Sequence, residues 1–152
     1  MVRLITKDGL KKLNDELEDR KIRLRQEIAQ AIKEAKEQGD LSENAEYAEA
    51  KSQQNENESR ISELEMIVKN SQVVEKDEKV KGAQIGSVVK VKSSGAEMSF
   101  TIVGSNEADP ANFKISNESP LGKAFMGHSG GDSVSVLTPK GDTLAYKIIE
   151  VK

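Results

Sequence analysis

The chain has 152 residues, with 23 Lys and Arg against 26 Asp and Glu, no Cys, no Trp and 3% aromatic residues. This composition allows one domain or two small ones, and it excludes a disulfide framework, a thiolate zinc site and a cysteine nucleophile. Scarce aromatics also argue against an aromatic-lined ligand pocket or a base-stacking platform.

The first residues, Met1-Val2-Arg3-Leu4-Ile5-Thr6-Lys7, lack the apolar run of a signal peptide. No stretch approaches the roughly 20 apolar residues that span a bilayer. A cytoplasmic protein with no membrane partner is the expectation. Residues 1–77 carry 14 basic against 18 acidic side chains, and residues 78–152 carry 9 against 8. Neither half has the positive excess of an independent nucleic-acid binder.

Thr6 is placed to cap a helix, with Asp8 in its first turn. Apolar residues then fall at Leu10, Leu13, Leu17, Leu24, Ile28, Ala31 and Ala35, with Lys21 in the one polar slot. Steps of three and four make a single stripe close to a coiled-coil seam. Gly39 is the expected helix stop. A second helix is predicted to begin near Asp40 to Ser42 and to run to about Val74. Its seam reads Tyr47, Ala50, Gln54, Asn57, Ile61, Leu64 and Val68. Antiparallel pairing sets Gln54 and Asn57 opposite Ile28 and Leu24, so the middle of the seam is half polar. Each helix of roughly 30 residues extends about 45 Å.

A charged stretch, residues 75–82, reads as a linker. From Gly82 onward lie nine of the 11 Gly and all three Pro. Residues 87–92, 98–103, 133–137 and 144–151 alternate as strands. Pro139-Lys140-Gly141-Asp142 is a turn between the last two. Ser119-Pro120 opens a short helix over residues 121–126, ended by Gly127. The predicted class is therefore α+β. Residues 1–77 form a two-helix coiled-coil hairpin with its tip near 39–44. Residues 78–152 form a small antiparallel-sheet domain with one short helix.

The stretch Gly39-Asp40-Leu41-Ser42-Glu43-Asn44-Ala45-Glu46-Tyr47 carries the most information. Asp40 and Glu43 have the spacing of a capping box. The same spacing presents two carboxylates from one turn, half of a Mg²⁺ site that waters and substrate phosphates from elsewhere would complete. Both readings fit the spacing. Arg20, Lys21, Arg23 and Arg25 line the first helix, and Lys33 and Lys36 lie nearer the tip. They read as solvated surface paired with acids, or as a contact to RNA or an acidic channel wall. His128, in a Gly-rich loop, has no Ser and Asp partners at specific spacing. Gly130-Gly131-Asp132 is a turn signal without the strand, Lys-Ser/Thr and helix of a phosphate loop. Tyr47 reads as a seam residue at the hairpin end.

These motifs resemble the bacterial transcript cleavage factors of the Gre family, GreA type. The resemblance covers the whole chain. It rests most specifically on residues 39–47, then on Leu4-Ile5-Thr6, Ile85-Gly86-Ser87-Val88-Val89, Ile115-Ser116 through Ser119-Pro120-Leu121-Gly122-Lys123-Ala124, and Gly131-Asp132. The resemblance implies an FKBP-like C-terminal domain that docks on bacterial RNA polymerase at the rim of its secondary channel. The coiled coil would enter the channel and meet the nascent RNA 3′ end of a backtracked complex. Asp40 and Glu43 would help hold a Mg²⁺ of the polymerase centre and orient water, in two-metal chemistry. Ser42 and Asn44 match tip positions that contact the polymerase or the water. The chain would then be a monomer with no cofactor of its own, assisting the polymerase's hydrolysis in trans. The intact acid pair sets it apart from relatives with rearranged tips that inhibit without cleaving. Its near-neutral balance favours GreA over the more basic GreB, and the missing Cys excludes zinc-bearing channel factors. The competing readings are a non-catalytic channel binder and an autonomous prolyl isomerase, the latter resting on fold likeness alone.

Overall fold

The computed structural model describes residues 2–40 and 44–152. The chain forms two compact units, Lys11–Asn70 and Met1–Leu10 with Ser71–Lys152. Residues 1–10 and 71–77, which the sequence pattern groups with the hairpin, thus pack with the sheet.

The helical unit holds one long helix and its antiparallel partner. The first runs as α1 (Lys7–Asp19), a π-helical turn (Arg20–Leu24) and α2 (Arg25–Glu37). The second is α3 (Ala45–Lys69). The predicted stripes face inward: Ile28, Ala35, Ala50, Ile61 and Leu64 are buried, and Leu13, Leu17, Leu24, Ala31, Tyr47, Gln54 and Val68 are half-buried. Full burial of each large aliphatic side chain contributes about 1.5–3 kcal/mol. The sequence pattern did not foresee one bond across the seam: Asn57 hydrogen-bonds Arg20.

Both ends of α3 differ from the predicted ones. It begins at Ala45, because Asn44 and not Asp40 supplies the cap. It ends at Lys69 rather than near Val74, because Ser71–Val73 forms a strand. This strand, β2, pairs in parallel with β1 (Arg3–Ile5) in a two-stranded ribbon of the sheet unit, and the Val74 N–H continues the ladder to the Ile5 carbonyl. Pairing between segments so distant in sequence leaves no local signal.

The main sheet has the order β5-β4-β3-β7-β6, from β3 (Val88–Ser93), β4 (Ala96–Val103), β5 (Lys114–Ser116), β6 (Ser133–Leu137) and β7 (Thr143–Val151). Four of these are the predicted strands and pair antiparallel. β5 is an additional short edge strand parallel to β4. A bulge lies where β3 and β7 shift register between Lys90 and Val91. Alternation turns Val89, Val91, Phe100, Ile102, Ile115, Val134 and Ile148 into one core, closed by Phe125 of α4 (Pro120–Phe125). Phe125 meets Phe100 and Tyr146 with ring centroids 5.9 and 5.7 Å apart. The short helix starts as its sequence predicts. Ser119 Oγ accepts the Gly122 N–H at 3.0 Å, and Pro120 takes the first helical position. Among the described residues no helix is long and apolar enough to cross a membrane.

Candidate functional site: the tip of the helical hairpin

The tip is built by what stops one helix and starts the next. After Glu37 the Gln38 and Gly39 N–H groups bond back to the Ala35 and Lys36 carbonyls, at 3.2 and 3.4 Å. Gly39 then leaves the helix at φ +117°, a conformation that L side chains rarely adopt. Asp40 follows and is exposed. Leu41, Ser42 and Glu43 lie outside the described residues, so the expected roles of Ser42 and Glu43 fall there too.

The described structure resumes at Asn44, which closes the hairpin. Its Oδ1 accepts the Tyr47 N–H at 3.1 Å, the N-cap bond of α3. Its Nδ2 donates to the Ala35 carbonyl at 2.7 Å, which joins the two helices across the tip. Both polar ends of this amide are engaged within the hairpin. Sequence reasoning places Asn44 among the contact residues and misses this clasp. The available signal was Asn, a favoured cap, directly before a helical run with Glu46 in its first turn. The reading of Asp40 as the cap gives way, because the cap position is Asn44, and Glu43 lies outside the described residues.

The basic residues of the first helix divide into two groups. Arg20, Lys21, Arg23 and Arg25 are paired with acids. Arg20 bonds Glu16 at 2.9 Å, Lys21 lies 2.5 Å from Glu65, Arg23 spans Asp19 and Glu27, and Arg25 grips Glu58 at 2.8 and 2.9 Å. Hydrogen bonds from Arg60, above all, and from Arg20 hold the Glu16 carboxyl below the usual glutamate range. Arg23 does the same for Asp19, and Arg25 for Glu58. This is the solvated, acid-paired face. Lys33 and Lys36 make no ion pair among the described residues, and with Ala29, Ile32 and Glu37 they line a shallow hollow of about 350 Å³.

In the sheet unit, His128 Nδ1 lies 3.4 Å from an Asp132 oxygen. The same oxygen, Oδ2, takes the Ser129 N–H at 2.9 Å, the main cause holding the Asp132 carboxyl below its ordinary range. The group secures a loop, with Gly131 at φ +97°, and brings no nucleophile to the imidazole. A cleft of this unit, about 450 Å³, is lined by Lys76, Glu78, Lys81, Gln84, Ser129 and Lys152 among others. Among the described residues no three His, Asp or Glu side chains group as a metal site.

Comparison with known proteins agrees in both units. Residues 3–73 match the family described as "Transcription elongation factor, N-terminal", and residues 77–152 match "Transcription elongation factor, GreA/GreB, C-term". The chain is 50% identical to the transcription elongation factor GreA of Thermoanaerobacter pseudethanolicus, across 98% of this chain and 96% of that one. It is 46% identical to GreA of Lachnoclostridium phytofermentans, across 98% and 94%. Among solved structures, GreA factor homolog 1 (Gfh1) of Thermus thermophilus is 31% identical, covering 100% of this chain and 99% of that one at a TM-score of 0.45. The matches span both units at high identity, and the chain belongs to the GreA/GreB family of transcription elongation factors, on its GreA side.

Proposed function

We propose that this chain binds bacterial RNA polymerase and brings its hairpin tip through the secondary channel to the catalytic centre of a backtracked complex. There it stimulates hydrolysis of the nascent RNA near its displaced 3′ end. The observation that carries this reading is the tip itself, where an exposed acid, Asp40, follows a glycine stop while Asn44 does the capping. Hard carboxylate oxygens are the donors that Mg²⁺ takes, and Mg²⁺ commonly keeps only one or two of them beside water and phosphate. Asp40 and Glu43 would hold it against the polymerase. The ion would supply Lewis-acid charge for the attacking and leaving oxygens.

The chain's own residues do the positioning. Gly39 ends the first helix so that Asp40 leads away from the α2 axis, and Asn44 ties the start of α3 to the end of α2. Glu43 and Ser42 join Asp40 in orienting water, in the role their sequence positions imply. On this reading the catalyst is the polymerase, the factor assists as a monomer in the cytoplasm, and it needs no cofactor of its own.

The test is a stalled, backtracked elongation complex with end-labelled RNA, Mg²⁺ and this protein. Release of short 3′ fragments, lost with Asp40→Asn while polymerase binding persists, supports the proposal. An uncleaved transcript despite saturating binding would replace it with a non-catalytic channel binder.

A further inference from the structure

The first helix holds a π turn that its apolar stripe does not require. The steps from Leu10 to Ala35 fit an uninterrupted α-helix, yet Arg20–Leu24 widens, and the Arg25 N–H reaches back to the Arg20 carbonyl. That carbonyl has a second donor across the seam, Asn57 Nδ2 at 3.1 Å. The same Asn57 amide accepts from Arg20 Nη1 through Oδ1 at 3.2 Å. One side chain thus grips one residue at both its backbone and its guanidinium. Asn57 is 4% exposed, the buried polar side chain of a seam whose other polar members, Lys21 and Gln54, are half-buried. Arg20 is anchored further by its Nε bond to Glu16, whose carboxylate also holds Arg60 of α3 at 3.0 and 3.1 Å.

A buried polar residue in a helical seam weakens packing, and its best-attested use is to select one register. A π turn takes up one residue more than an α turn. Restoring α geometry there would rotate everything beyond it by about 100° and advance it by about 1.5 Å. What lies beyond is α2, Gly39 and Asp40.

We propose that the Arg20–Asn57 fork and its π turn form a phase pin that sets the rotational aim of the distal hairpin, and that both are positioning residues for the tip. The link to chemistry rests on the cleavage reading above. A catalytic group displaced by about 1 Å can lose on the order of a hundredfold in rate.

The test uses the full chain with Asn57→Leu, and Arg20→Gln as a second variant should the first fail to fold. Nitroxide labels at the exposed positions 33 and 51 report the setting of α2 against α3 by pulsed EPR. Shifted distance distributions are expected in both variants, with half-saturating factor concentration unchanged and maximal cleavage at least about tenfold lower. Distances equal to the parent's would overturn the pin, whatever happens to cleavage. Shifted distances with full cleavage would overturn the positioning role. If the parent itself cleaves nothing, the functional reading fails, and the distances still decide the pin.

Discussion

Asn44 joins the two helices of the hairpin with one side chain, and this makes it separable from the acid beside it. Asn44→Ala removes the cap on the Tyr47 N–H and the donor to the Ala35 carbonyl. Loss of a cap and of one further hydrogen bond costs about 1–3 kcal/mol. The expected result is faster amide exchange at residues 35–38 and 47–48 and a lower melting temperature. Asp40→Asn keeps the side chain's size and removes only its charge. Its cleavage stimulation should fall at least tenfold. Equal melting of Asn44→Ala and parent would sink the clasp. A second close contact lies in the sheet unit. Glu107 accepts the N–H groups of Thr6 at 2.8 Å and Gly104 at 3.1 Å, and the Thr6 hydroxyl as well. Gly9 faces that carboxylate, and a Cβ there would overlap it. Gly9→Ala should destabilise by about 1–3 kcal/mol, the usual penalty of overpacking, even though Ala is the better helix former. Denaturant unfolding with an unchanged midpoint would refute that packing argument. Thr6 as a cap was legible in sequence. Its second partner, about a hundred residues away, was not.

The helices show how far periodicity reaches. Steps of three and four named the inward residues of both, because an amphipathic stripe is a local property. The π turn escaped notice because the apolar steps fit an uninterrupted α-helix, and its Arg20 carbonyl is bonded by Asn57, on the other helix. The end of α3 escaped because pairing of residues 71–73 with 3–5 overrides local propensity. The ion pairs that flank this seam make the hairpin acid-sensitive. Glu16, Asp19 and Glu58 each titrate below their ordinary range in the folded chain, through hydrogen bonds from Arg60, Arg23 and Arg25. The unfolded chain therefore binds more protons as pH falls through about 4, and acid favours unfolding. The stabilisation is complete above the unfolded values and is lost as pH drops through the lower, folded ones. Helical circular dichroism melts at pH 7, 5, 4 and 3 should show a midpoint that holds to about pH 5 and then falls. Glu16→Gln should start from a lower midpoint at pH 7 and fall less on acidification. A midpoint that rises on acidification would contradict these pairings.

Across the molecule, sequence and structure divide the labour in the same way: a wet helical hairpin with acid at its tip, and a sheet with its own aromatic-plugged core. Composition foretold that division, since Gly, Pro and Val gather after residue 82 while Glu, Lys and Leu dominate before it. The tip stands out in the sequence as two carboxylates in a motif. Its capping chemistry was not legible there, because Asp and Asn are nearly equivalent caps and only the fold chooses between them. Separate cores have a consequence for competition. Asp40 belongs to the helical unit and the sheet has a core of its own, so Asp40→Asn should still occupy the polymerase. It should then inhibit the parent by simple mass action. At equal concentrations, both saturating, cleavage should fall to about half, and at a tenfold excess of the variant to about a tenth. The measurement is fragment release from a backtracked complex with the two proteins mixed at fixed total concentration. Proportional loss means that docking and tip chemistry reside in different units. Undiminished cleavage at a tenfold excess would mean that Asp40 is itself needed for docking, and the assignment of a purely chemical role to it would fall.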